Sequence, residues 1–265
     1  MDLELSGKTA IVTGGSTGIG KAIARELAKE GVDVAICART RETLEASAAE
    51  IAAETGRRIV PIVADVSKLD SVEIMVKKAV TALGGVDILV NNAGVPGGLA
   101  RGPLETVTDE IMWEDLNTKF MGYLRCARAS VPYMKRKKWG RIINIGGMSA
   151  RRSGTYSTGA RNVAVAHMTK TLSDELGQYG ITANCIHPGG TWIEKIEEAH
   201  RERAKREGKT LEQVKTESAK DIAIRRWPES FEVAYVAVFL ASPKSITITG
   251  EVFSVSGGFS RALFT

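Results

Sequence analysis

A chain of 265 residues with 43% apolar and 25% charged residues can bury one large core, so a single α/β-sized domain spanning 1–265 is expected. The formal charge of +5 suits an anionic ligand, but acids are interleaved with the bases and no basic-aromatic surface pattern appears, which argues against a nucleic-acid partner. No apolar run reaches the roughly 20 residues of a membrane span, and MDLELSGK lacks the apolar stretch of a secretory leader, so a cytoplasmic protein with no membrane partner is expected.

In chain order, an apolar run at Thr9–Val12 leads into TGGSTGIG (13–20) and then an amphipathic segment, Lys21–Glu30. This strand–turn–helix setting makes the glycine-rich stretch a candidate phosphate turn. Gly14, Gly18 and Gly20 permit positive φ and close approach, and the free N–H groups at a helix start attract an anion. VDVAICA (32–38) closes on Arg39, and a helical segment follows. RIVPIVADV (58–66) ends in Asp65 and Val66 before the helix SKLDSVEIMVKKAVTALG. VDILVNNAG (86–94) breaks into a polar turn holding Asn92, Ala93 and Gly94. Apolar strands alternating with amphipathic helices predict a parallel sheet covered on both faces, with ligands beyond the carboxyl ends of the strands.

The second half continues with a long helix around 108–138, a strand RIINIGG (141–147), a turn SARRSGTYSTG and a helix from Ala160. A strand ITANCIH then ends at HPGGT. A densely charged tract from Glu194 to Lys220 precedes an apolar helix and a last strand, ITGEVFSVSGG. It reads as a helical lid insertion at about 191–228. Cys37, Cys126 and Cys185 are widely spaced in apolar or helical runs and read as reduced core residues. His167, His187 and His200 show no zinc spacing, so no metal is expected.

TGGSTGIG, ADV, NNAG, the Asn117 helix, INIGG, HPGGT and the closing strand stand in an order and spacing that resembles the short-chain dehydrogenase/reductase family over essentially the whole chain. The resemblance implies a Rossmann-like doubly wound sheet of seven strands in the order 3-2-1-4-5-6-7. It also implies a nicotinamide cofactor, a small-molecule substrate, and a homotetramer or homodimer. Cofactor contacts are then expected from Gly14, Ser16, Thr17, Gly18, Ile19 and Gly20, from Asp65 and Val66 at the adenine, and from Asn92, Ala93 and Gly94 at the ribose. Pro188, Gly189 and Thr191 would hold the nicotinamide amide. An NAD site wants a carboxylate roughly 20 residues past the glycine turn. This chain places Arg39 there, in CARTR, which suits a 2′-phosphate. NADP(H) is therefore expected, with NAD(H) as the alternative.

The family's proton donor is a tyrosine with a lysine four residues on, a serine and an asparagine. Here Tyr156 is followed at the fourth position by Ala160. Counting back from MTK (168–170) puts Thr158 and Asn162 in the tyrosine and lysine places, and Gly147 takes the serine's. Two expectations stand side by side. In one, Asn117, Tyr156 and Ser149 are catalytic, with Tyr156 reaching in from a loop and Arg161 or Asn162 contacting the ribose. In the other, the chain binds nucleotide but is catalytically inert, with a structural or regulatory role.

Overall fold

A computed structural model describes residues 1–259. Its single sheet is built from β1 (Thr9–Thr13), β2 (Asp33–Ala38), β3 (Ile59–Val63), β4 (Ile88–Asn91), β5 (Gly140–Ile145), β6 (Ile181–Pro188) and β7 (Val252–Val255). The order is β3-β2-β1-β4-β5-β6-β7 and every pairing is parallel. Pro61 sits inside β3, which the sheet tolerates because β3 is an edge strand.

Side chains alternate across the sheet and separate the core into two layers. Ala10 and Val12 of β1 face a layer closed by α1 (Gly18–Lys29), α2 (Arg41–Thr55) and α9 (Ser230–Ala241). Ile11 faces one closed by α3 (Leu69–Leu83), α5 (Gly122–Lys137) and α6 (Tyr156–Leu176). Both layers need apolar strands on both faces, which is why β1, β4, β5 and β6 are buried along their whole length. Met168 and Leu172 pack into the second layer. The three cysteines are free and buried; burial pushes the thiols of Cys126 and Cys185 up to about 12 and that of Cys37 higher still.

Two local departures from regularity shape the site. Between α4 (Asp109–Leu116) and α5 the chain makes a π-helical turn over Asn117–Met121, so one long helical rod carries an inserted step in its middle. Helix α6 begins at Tyr156, four residues before the start expected from the sequence, so YSTG is its first turn and not a loop. The charged tract folds as α7 (Glu194–Glu207) and α8 (Leu211–Ser218), laced by ion pairs such as Arg203–Glu207 and Lys209–Glu217. At its base the rings of Trp192, His200 and Trp227 meet edge to face at 5.2–6.0 Å, and Ser218 Oγ accepts from Trp227 Nε1 at 2.9 Å.

Candidate functional site

The carboxyl ends of β1, β2, β4, β5 and β6 open into one cavity of about 710 Å³. Its floor begins at the glycine turn. Gly14 and Gly18 take φ of +65° and +56°, values that a side chain disfavours. Asn92 clamps the turn to β4: its Nδ2 donates to the carbonyls of Thr13 and Gly14 at 3.1 Å each, and its backbone N–H donates to Thr13 Oγ1 at 3.0 Å. Gly20 is buried outside the cavity wall, and a Cβ there would collide with the Gly14 carbonyl. Its bare backbone lets α1 close onto β1. No acidic residue lies in the first turn of α1, and Thr17 makes no side-chain cap there. The N–H of Gly18 instead donates to Glu194 Oε2 of α7 at 3.1 Å. The amino end of α1 therefore already holds a negatively charged oxygen, which is how a phosphate turn would behave.

Next to it, Arg39, Asp65 and Val66 line the cavity. Burial by itself would raise the Asp65 carboxyl. Hydrogen bonds from the Ser67 hydroxyl and N–H, at 2.7 and 3.0 Å, and the charges of Arg39 and Lys68 outweigh it and hold the group below its ordinary range. Asp65 thus orders the turn before α3 while facing the cavity. At the far end Thr191 Oγ1 donates to the Gly189 carbonyl at 3.2 Å, and Pro188, Gly189, Ile193 and Ile196 close the wall.

The expected catalytic residues separate. Ser149 is in the wall and accepts from Asn162 Nδ2 at 2.8 Å. Asn162 also presses on Gly147, where a Cβ would lie 2.7 Å from Nδ2. Tyr156 is not in the wall; as the first residue of α6 it points outward and is 50% exposed. Asn117 is not in the wall either. Its Nδ2 donates to the Ser67 carbonyl at 3.3 Å, and its Oδ1 accepts from Arg125 Nη2 at 2.7 Å. The placement of Asn117 has a geometric reason. Asn117 lies two residues past the inward-facing Asp115, about 200° around a helix, so it is turned towards α3. Arg161 is in the wall, but its guanidinium is bound to the buried Asp115 carboxylate and donates to the Val95 carbonyl at 2.7 Å. Its head is thus bound within the protein.

The residue that the sequence reading passed over is Lys119. Four residues past Asp115, on the π-helical turn, it shares that inward face, is 6% exposed and enters the wall beneath Gly94. Its Nζ donates to the Gly146 carbonyl at 2.8 Å. Burial, reinforced by the Arg161 guanidinium, draws its amine down to about 7 against the pull of Asp115. The spacing from Asp115 was the signal that could have found it, since the Asn117 side chain drew attention to the wrong face of the helix. Among the described residues no cluster of metal-ligating side chains occurs and no helix is long and apolar enough to cross a membrane.

This arrangement defines a dinucleotide-type α/β oxidoreductase site, and comparison with known proteins agrees. The model of the short chain dehydrogenase family matches residues 8–204. The chain is 36% identical over 251 residues to the short-chain reductase protein NovJ of Streptomyces niveus, covering 94% of this chain and 92% of that protein. It is 35% identical to the 3-oxoacyl-[acyl-carrier-protein] reductase FabG of Staphylococcus epidermidis, covering 95% and 98%. The crystal structure of L-sorbose reductase from Gluconobacter frateurii, complexed with NADPH and L-sorbose, superposes with a TM-score of 0.91 at 31% identity, over 99% of this chain and 100% of that one. The chain belongs to the short-chain dehydrogenase family.

Proposed function

We propose that this chain is an NADP(H)-dependent oxidoreductase that moves a hydride to or from a carbonyl, alcohol or acyl-thioester carbon. The observation that carries the reading is the anion-holding amino end of α1 with Arg39 on the same cavity wall, where an NAD site would want a carboxylate. Gly14 and Gly18 would cradle the pyrophosphate, Arg39 the 2′-phosphate, Asp65 and Val66 the adenine, and Gly94, Pro188 and Thr191 the nicotinamide riboside. When bound, the nicotinamide supplies or accepts the hydride. The protein's own residues orient the substrate and exclude water, with Ser149 and Thr158 as hydroxyls able to bind its oxygen. The complex of L-sorbose reductase with NADPH supports the choice of cofactor.

We further infer that the insertion at about 191–228, with α7 and α8, acts as a lid over the cavity, supported by Ile193 and Ile196 in the wall and the Glu194 contact to the glycine turn. Exposed Trp113, Val163, Phe231 and Tyr235 support self-association into a dimer or tetramer, and three reduced cysteines suit the cytoplasm. The test is thermal stabilisation by NADPH and NADH, since a ligand of the native state raises stability by mass action. NADPH should shift the transition far more than NADH. No shift with either refutes the site. NADPH binding without reduction of L-sorbose or a 3-oxoacyl thioester would favour the inert alternative.

A further inference from the structure

Among the described residues Lys119 is the one lysine in the wall of this cavity, and its surroundings differ from those of a lysine that only ties two elements together. Its stem runs beneath Gly94, where a Cβ would touch Lys119 Cδ at 3.4 Å, and its amine stops at the Gly146 carbonyl. Residues 146 and 147 are both glycines, so no side chain of β5's end screens that amine from the cavity. The same cavity wall holds the Thr158 hydroxyl and the Asn162 amide, neither of which can supply a proton near neutral pH. Tyr156 is turned to solvent.

Resting on the function proposed above, we propose that Lys119 is the proton donor of this site. In the reductive direction a bound reduced nicotinamide would supply the hydride, its C4–H bond breaking to leave the oxidised ring while the substrate C–H bond forms and the C=O π pair moves to oxygen. That oxygen takes a proton from Lys119 Nζ: an O–H bond forms, an N–H bond breaks, and the neutral amine regains its proton from water at the cavity mouth. Oxidation runs the same steps backwards, with the neutral amine as base. A tyrosine is unnecessary in this arrangement because the lysine combines proton transfer with a place at the nicotinamide end of the cavity.

The charges around the amine favour this role. Asp115 of α4 is taken by Arg161 of α6, so the one carboxylate among the groups that perturb the amine is already neutralised. From β6, Cys185 and His187 face it. Burial keeps the thiol protonated, with its affinity pushed up to about 12, and draws the imidazole down to about 4, so both are neutral near pH 7. Tyr123 of α5, whose ring centroid is 5.9 Å from Nζ, donates its hydroxyl to the Ile145 carbonyl at 3.0 Å and is held protonated by burial. A cation in this setting has weak support, and an amine that gives up its proton near neutrality is what acid–base work at physiological pH requires.

The experiment compares the whole wild-type chain with Lys119→Met and Lys119→Arg. The first readout needs no cofactor. A lysine that binds its proton less tightly when folded makes stability rise with pH between about 7 and 10.5, because the unfolded chain holds more protons there. That rise should be present in the wild type and missing from Lys119→Met. NADPH should still raise the melting temperature of both variants, which separates this proposal from the reading of the cofactor site. With L-sorbose or a 3-oxoacyl thioester, kcat should fall about 100-fold or more in both variants. The inflection near pH 7 in the wild-type kcat profile should vanish. Lys119→Arg is informative because it keeps the charge and a hydrogen bond but cannot release a proton.

Retention of turnover within about three-fold in Lys119→Arg, or an unchanged inflection in Lys119→Met, overturns the proposal. So does a wild type that binds NADPH but turns over neither substrate. Should the methionine variant not fold, the Lys119 side-chain nitrogen of ¹⁵N-lysine-labelled wild type takes its place. Titration near pH 7 supports the assignment, and titration near 10 with the other lysines ends it.

Discussion

Removing the carboxylate of Asp115 tests the electrostatic framework of the site directly. Asp115 is fully buried and Arg161 is 3% exposed, so Asp115→Ala leaves a guanidinium in the protein interior with only the Val95 carbonyl and no counter-charge. Breaking one side of a buried pair costs about 3–5 kcal/mol, because the orphaned charge keeps its desolvation penalty. Asp115 Oδ2 also accepts from the Leu99 N–H at 3.3 Å, so residues 95–101 over the cavity loosen with it. For a domain of this length each kcal/mol moves the melting temperature by about 2–4 °C, so a loss of about 10 °C is expected. The assay is urea unfolding followed by circular dichroism at fixed protein concentration, with NADPH affinity measured alongside. The double variant Asp115→Leu with Arg161→Met should recover most of the loss. It should fall short by about 1–2 kcal/mol, because the Val95 carbonyl and Leu99 amide then lack partners. Asp115→Ala within about 1 kcal/mol of wild type, or a double variant as unstable as the two singles added together, would refute the reasoning.

Three further outcomes follow from the same geometry. Arg39→Ala should weaken NADPH binding about 10- to 100-fold and leave NADH binding unchanged, since a charge-assisted bond to a phosphate contributes about 1.5–3 kcal/mol; equal losses for both cofactors would remove Arg39 from the 2′-phosphate site. Glu194→Gln should tighten NADPH about two- to five-fold, because a carboxylate competing for the amino end of α1 is worth about 0.3–1 kcal/mol; weaker binding would show that Glu194 assists the closed state instead. Tyr156→Phe should leave kcat and its pH profile unaltered, and a loss of activity would return this outward-facing hydroxyl to the mechanism.

The sequence by itself determined the sheet, its two covered faces and the position of the glycine turn. These follow from periodicity and short-range chemistry: fully apolar strands, amphipathic helices and glycines at positions of positive φ carry their message within a few residues. Arg39 and Asp65 were legible for the same reason, lying at strand ends where a parallel sheet gathers its ligands. What only the tertiary structure decided was the direction of side chains on helices whose phase is interrupted. Which face of this rod is inward was fixed by the burial of Asp115, which leaves Asn117 on Ser67 and Arg125 and Lys119 in the cavity wall. Starting α6 at Tyr156 turns that ring to solvent while Thr158 and Asn162 face inward. Arg161 could be placed near the site from its spacing, but its commitment to Asp115, 46 residues earlier, depends on α4 packing against α6. Residue identity fixed which groups were available, whereas helix phase and long-range packing decided which of them meet in the cavity, because one residue of helical offset is about 100° of direction.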